Sequence, residues 1–319
     1  LLEEGEIIWE WSGGRDDLLA PHEIPLTYEE RYSGFHNNIL LQESPMLVDG
    51  AIYSIKMEGI DAAGNEALPV EIHGVQLDIT PPEFTVVQPT SYSAVSTSVI
   101  DYSISEEIEE GVIIWSWNSG KPDPKKVHRS SLIGEELKSD NHSTSDLSHP
   151  VTLVDGAIYN LEIQGKDFSG NNSSGVFISE VYYDATPPVI TDVFPINNSH
   201  VNHDQVAYTL SENVQNGTVI WQHLGGSPDD LAPYAANLNG DELNKGKHPF
   251  INLDESPLLN DGSIYSITFA VSDAAGNEAE IVVVDNVQFD VTNPEVAILS
   301  PQGESWISSI SVGYGLTED

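Results

Sequence analysis

Apolar and polar residues alternate along this chain in short stretches, none long enough to suggest a sustained helix. Val112-Ile-Ile-Trp-Ser-Trp117 and Ile158-Tyr-Asn-Leu-Glu-Ile163 are typical, and each is bounded by Gly, Pro, Asn and Asp clusters. A period of two puts alternate side chains on one face of a strand, and the bounding residues supply turns. The pattern therefore predicts an all-β chain. It also repeats itself. Asp61-Ala-Ala-Gly-Asn65, then a strand, then Asp78-Ile-Thr-Pro-Pro82 recurs as Asp167-Phe-Ser-Gly-Asn171 with Asp184-Ala-Thr-Pro-Pro188. A third copy is Asp273-Ala-Ala-Gly-Asn277 with Asp290-Val-Thr-Asn-Pro294. The period is 106 residues, without insertion or deletion, although the intervening sequence has drifted. Trp9, Trp115 and Trp221 share a column, as do Asp49, Asp155 and Asp261, and His36, His142 and His248.

About seven short strands in roughly 100 residues points to an immunoglobulin-like sandwich. Leu153-Val-Asp-Gly-Ala-Ile-Tyr159 has the Asp-x-Ala-x-Tyr spacing of a tyrosine corner at the start of strand F, and Trp115 falls where strand C supplies a core Trp. Strand A is expected at Phe84-Thr-Val-Val87, B at about 98–104, C at 112–117, E at about 150–153, F at 158–166 and G at 176–183. The fold class is thus tandem immunoglobulin-like β-sandwich domains, end to end. Two domains are complete, 83–188 and 189–294. Residues 1–82 form a partial domain lacking strands A and B, and 295–319 are the first strands of a further one. Between strands C and E lies a region expected to be a loop with one helical turn, around Leu132-Ile-Gly-Glu-Glu-Leu137 and Leu238-Asn-Gly-Asp-Glu-Leu243. Its recurring Asp17, Asp123 and Asp229, with the three histidines, suggest an exposed contact surface. The opening Leu1-Leu2-Glu3, with no initiator Met or signal peptide, reads as the start of an internal region.

Charge changes the picture next. The chain of 319 residues has 51 acidic and 11 basic residues, a net charge of −40. Phosphate binding needs a basic face, so nucleic acid and anionic membrane are excluded as partners. No apolar run reaches membrane-spanning length, so no membrane insertion is expected. Cysteine is absent, which removes disulfides and thiolate metal sites. Such a chain repels itself unless cations neutralise part of the charge.

The sandwich topology says where those cations would go. The B–C and F–G loops cluster at the end where the chain comes in, and strand G leaves at the other end. The Asp-x-x-Gly-Asn turn is the F–G loop, so Asp167 should lie beside Asp78 of the preceding link, and Asp273 beside Asp184. The B–C loop adds Glu106 and Glu107 at the first seam, Glu212 and Asn213 at the second. Asp61 and Asp290 would face seams outside this sequence. Crowded carboxylates raise one another's pKa unless a counter-ion intervenes. A hard divalent cation suits an all-oxygen donor set. Calcium takes six to eight oxygens in flexible geometry, magnesium needs a stricter octahedron, and zinc is disfavoured where no His recurs. Taken singly, each motif is ordinary turn chemistry, with Gly at positive φ and Asp capping amides. It is their pairing across each seam that points to Ca2+.

At these motifs the chain resembles the bacterial immunoglobulin-like repeats of large cell-surface adhesins, which are cadherin-like in style. The resemblance covers both complete domains and the partial ends, with one departure at Asn293, where the other copies have Pro. It implies an extracellular array whose junction calcium stiffens a stalk, with Asp78–Asp167 and Asp184–Asp273 as the matching pairs.

Enzyme chemistry is not expected. There is no Cys, Ser elbow or metal-binding His-x-x-x-His, and a single recurring His column, His36, His142 and His248, is a structural pattern. The expected role is therefore mechanical: an extracellular, calcium-rigidified stalk whose partners are neighbouring repeats or copies of itself, with a glycan or cell-surface target possible at its end. The alternative is a subunit of a helical surface filament or sheath. Lateral packing would penalise insertions, and residues 1–82 and 295–319 of neighbouring copies would complete one another by strand addition. Asn-x-Ser/Thr sequons at Asn141, Asn171, Asn172, Asn197 and Asn216 permit glycosylation where the source has that machinery.

Overall fold

A computed structural model describes residues 1–37, 44–143, 151–254 and 256–317. Its regular secondary structure is nearly all strand. In the first unit, β1 (Leu2–Gly14), β2 (His22–Pro25), β3 (Ala51–Asp61) and β4 (Val70–Gln76) form one sheet in the order β2-β1-β3-β4. The second unit holds β5 (Phe84–Gln88), β6 (Ala94–Val95), β7 (Asp101–Ile104), β8 (Glu110–Gly120), β9 (Val127–Ser131), β10 (Asn141–Ser143), β11 (Ala157–Lys166) and β12 (Val176–Tyr183). Its two sheets are β10-β7-β5 and β6-β12-β11-β8-β9. The third unit repeats this with β13 (Ile190–Phe194), β14 (His200–Val201), β15 (Val206–Leu210), β16 (Asn216–Gly226), β17 (Tyr234–Asn237), β18 (Gly246–Ile251), β19 (Ser263–Ser272) and β20 (Val282–Phe289). A hairpin of β21 (Val296–Ser300) and β22 (Gly313–Leu316) follows. The chain is built of tandem immunoglobulin-like β-sandwiches.

Burial follows the alternation. In β11, Ala157, Tyr159, Leu161 and Ile163 are fully buried while Ile158, Asn160 and Glu162 face outward. The second unit's core runs from Phe84 to Val181 and the third's from Ile190 to Val287. Trp115 packs edge-to-face on Tyr159 at 6.2 Å, and Trp221 on Tyr265 at 6.0 Å. Tyr159 makes the tyrosine corner, its hydroxyl accepting from the Val154 N–H at 2.9 Å.

Three expectations need correction. Strand E is not at 150–153: Pro150 lies outside the described residues, and 151–153 is not strand. The strand paired with β7 is β10, and Leu153 buries its side chain from the loop before the tyrosine corner. The region between C and E is more than loop and helical turn. Val127–Ser131 adds a fifth strand beside β8, and the expected turn follows as a 3-10 helix at Gly134–Leu137, with its counterpart at Gly240–Leu243. The recurring aspartates are not an exposed surface either. Asp17, Asp123 and Asp229 are 7%, 4% and 6% exposed, and each accepts from the corner tyrosine, Tyr53, Tyr159 or Tyr265, at 2.6–2.7 Å. A buried hydroxyl needs an acceptor, and this column supplies it.

The histidine column is only partly covered: His142 and His248 are half-buried, and His36 is exposed. His142 lies against Tyr102 at 5.1 Å and His248 stacks on Tyr208 at 4.8 Å. Their Nε2–H groups donate to Lys138 and Asn244 carbonyls. His36 donates to the Tyr32 carbonyl at 2.9 Å.

Candidate metal-binding seams

Each complete unit meets the link from the preceding one through three segments. Strand G ends at the Asp-x-Thr-x-Pro link, which is held by its own unit. Asp155, in the loop before strand F, accepts from the Ala185 N–H at 2.8 Å and the Thr186 hydroxyl at 2.9 Å. Asp49 clamps Ile79 and Thr80 in the same way, and Asp261 clamps Val291 and Thr292. These bonds hold Asp155 below the ordinary carboxylate range, first through the Ala185 amide and then Thr186, despite partial burial. The clamp fixes where the link leaves, and the sequence reading missed it. The signal was available, since Asp-Gly-x-Ile-Tyr and the link Thr recur at the same period.

From the next unit come the F–G and B–C loops. In the F–G turn, Asp167 Oδ1 accepts from the Ser169 and Asn171 N–H groups, both at 2.8 Å, and Oδ2 accepts from Asn171 Nδ2 at 2.8 Å. Asp273 makes the same bonds with Ala275 and Asn277. Gly170 and Gly276 sit at φ +93° and +86°, the left-handed conformation this turn requires. The turn also touches the incoming link. Asn171 Nδ2 donates to the Asp78 carbonyl at 3.0 Å, and Asn277 Nδ2 to the Asp184 carbonyl at 2.8 Å. Ser169 adds a hydroxyl bond to Asp78 Oδ2 at 3.2 Å.

Three carboxylates converge at each seam. Asp78, Glu106 and Asp167 each offer an oxygen, and these atoms lie within 4.8 Å of one another; Asp184, Glu212 and Asp273 repeat the arrangement. Asp167 and Asp273 are buried and the others half-buried. Glu107 is exposed and does not join the cluster. Asn213 lines the same groove as Asp184, Glu212 and Asp273, but its side-chain oxygen accepts the Lys245 N–H at 2.8 Å. The Asp61 side chain is bonded within its own turn, and that of Asp290 to the Thr292 N–H. Neither belongs to a carboxylate cluster among the described residues.

The electrostatics follow from this crowding. Partial burial pushes the Glu106 carboxyl up, with Asp78, Asp167 and Asp49 adding like-charge repulsion. Glu212 is raised by burial and by Asp184 and Asp273, with Lys245 opposing. Asp184 is also raised, by burial and then by Asp273 and Asp155, against the Thr186 amide bond. Burial pushes Asp167 upward, but the donors of its turn outweigh that and keep it ionised. The donor set is all oxygen and net negative, which fits a hard cation.

Residues 151–290 match the family described as bacterial Ig-like domain (group 3). A search of curated proteins finds no match. Among solved structures, the FN1–FN3 domains of chicken CNTN1 align over 90% of this chain and 91% of that one. The identity is 10% and the TM-score 0.35, too loose to carry an argument.

Proposed function

Because residues 151–290 carry a bacterial immunoglobulin-like domain and the same 106-residue unit recurs along the chain, we propose that this is a length of extracellular stalk. In this reading it is a structural or adhesive repeat array of a large cell-surface adhesin, rigidified by calcium at its seams. The observation that carries the reading is the convergence of three carboxylates at both seams, each drawn from link, B–C loop and F–G loop. A cation there would join two units through side chains that otherwise repel. Asp78, Glu106 and Asp167 would hold it at the first seam, and Asp184, Glu212 and Asp273 at the second. Bound calcium supplies positive charge and flexible oxygen coordination, with water free to complete its shell. Among the described residues no helix is long and apolar enough to cross a membrane. Small-angle scattering with and without calcium tests the mechanical claim. Chelation is expected to shorten the mean end-to-end distance as the units bend at Asp78 and Asp184, and an unchanged profile would refute it.

A second reading, a repeating subunit of a helical surface filament, is favoured by the constant 106-residue period, which lateral packing of equivalent units would enforce. Sedimentation across a concentration series separates the readings. Growing species support polymerisation, and a concentration-independent monomer rules it out.

A further inference from the structure

The seams carry a second device, made of hydrogen bonds within the chain. Each F–G asparagine has two amide hydrogens, and at both seams they are divided the same way. One closes the turn on Asp167 or Asp273 at 2.8 Å. The other crosses to the carbonyl of Asp78 or Asp184. In the first unit the same turn closes on Asp61, half-buried there, through Asn65 at 2.8 Å. Its counterparts Asp167 and Asp273 are 1% and 5% exposed, in turns that lie against the incoming link. The turn is thus pre-built, and docking of the link adds one bond from an amide already held in place. A backbone carbonyl left without a partner at a partly buried joint is costly, which gives the bond its directional value.

We infer that Asn171 and Asn277 are seam-positioning latches that hold neighbouring units in register without any cation. This deepens the stalk reading and rests on the seam being a mechanical joint, but it does not depend on calcium. Calcium would then stiffen a joint that is already closed. The two joints also differ. The first has the additional Ser169 hydroxyl bond to Asp78, where the second has Ala275. The first seam should therefore be the narrower of the two in chelator.

Absence of cysteine makes the measurement direct. Glu23, Arg129 and Ala235 are exposed and share one column on successive units, so Cys substitutions there report each seam separately through spin-label distances. In chelator, the unsubstituted latches should give a single-peaked distribution at both seams, broader than with calcium but narrower than in the latch variants. Asn277→Ala should broaden the Arg129Cys–Ala235Cys distribution and leave Glu23Cys–Arg129Cys unchanged, and Asn171→Ala should do the reverse. Asn65→Ala is the control, removing the turn's internal bond where no crossing bond exists, and should broaden neither. Unchanged widths in both latch variants would overturn the inference, as would equal broadening at both seams from either one. If Asn277→Ala melts the third unit itself, Ser169→Ala spares the turn's internal bonds. It should widen the first seam toward the width of the second, and no widening would overturn the inference. Adding calcium afterwards reads the cation separately: no response there counts against calcium and leaves the latch standing.

Discussion

Replacing Glu212 by Gln should have opposite effects on stability with and without calcium. Glu212 is one of three carboxylates at the second seam, and both partial burial and its neighbours raise its pKa. Without metal its charge is therefore a liability in the folded state, and Glu212→Gln should raise the melting temperature. With calcium the same charge becomes a ligand, and the substitution should cost stability. The size of the calcium effect follows from mass action. Calcium at about 10 mM against a dissociation constant of about 1 mM stabilises by about 1.4 kcal/mol. For a unit of about 100 residues that is roughly 6–11 °C in melting temperature. Scanning calorimetry of the whole chain, with chelator and with calcium, measures it. The parent should gain several degrees on adding calcium, and the variant should gain less from a higher starting point. A variant destabilised equally in both buffers would mean that Glu212 is merely structural, and no calcium shift in the parent would remove the cation from the account.

The remaining expectations concern protons and the buried polar column. Glu106, Glu212 and Asp184 bind protons more tightly in the folded state than in the unfolded chain, so in chelator stability should rise as pH falls from 7 towards their ordinary range. Calcium should abolish that rise, and chemical denaturation at stepped pH shows both. Asp123 behaves oppositely. Its carboxyl is held down at about 2: burial opposes ionisation, but His128, Tyr159 and the Lys125 amide outweigh it. The stability it contributes is present above the unfolded value of 3.8 and should be lost as pH falls through about 2. Asp123→Ala leaves the Tyr159 hydroxyl, the His128 ring and the Lys125 N–H without their acceptor, at a cost of about 3–5 kcal/mol. Urea unfolding should show this as a lower midpoint for one unit, and a change under about 1 kcal/mol would mean that water replaces the acceptor.

The sandwich was legible because its signals are local and strong. Alternation marked Ala157–Lys166 and Val176–Tyr183, and the tyrosine-corner spacing anchored Tyr159 on strand F. What escaped lacked such signals. Ala94–Val95 is two residues long and pairs in parallel with Tyr182–Tyr183, too short for any period to register. Val127–Ser131 reads Val-His-Arg-Ser-Ser, polar at every position but one. It is nevertheless a strand: its inward His128 is held by the buried Asp123 and its inward Ser130 is buried, rather than both being apolar. Val151 and Leu153 misled in the other direction. Their alternation looks like a strand, yet Leu153 fills the core from a loop.

The seam was legible for a different reason, and incompletely. Strand direction alone places the link carboxylate of one unit against the F–G turn of the next, since G leaves at the end opposite to the F–G loop. The two aspartates of one sequence motif thus belong to different joints, and Asp78 finds Asp167 rather than Asp61. Topology cannot say which atoms of a turn are already spent. Asp167 looks like a free ligand in the sequence, but its oxygens accept two backbone amides and one Asn amide before any cation arrives. The oxygens least committed to hydrogen bonds are those of Glu106 and Glu212, the groups whose pKa values burial and crowding raise. A cation at either seam would therefore act mainly on the B–C glutamate, while the F–G turn serves as a rigid wall. Removing Glu106 or Glu212 should abolish most of the metal response while leaving the joint closed, whereas removing Asn171 or Asn277 should open the joint and leave the glutamate's ligand oxygens in place.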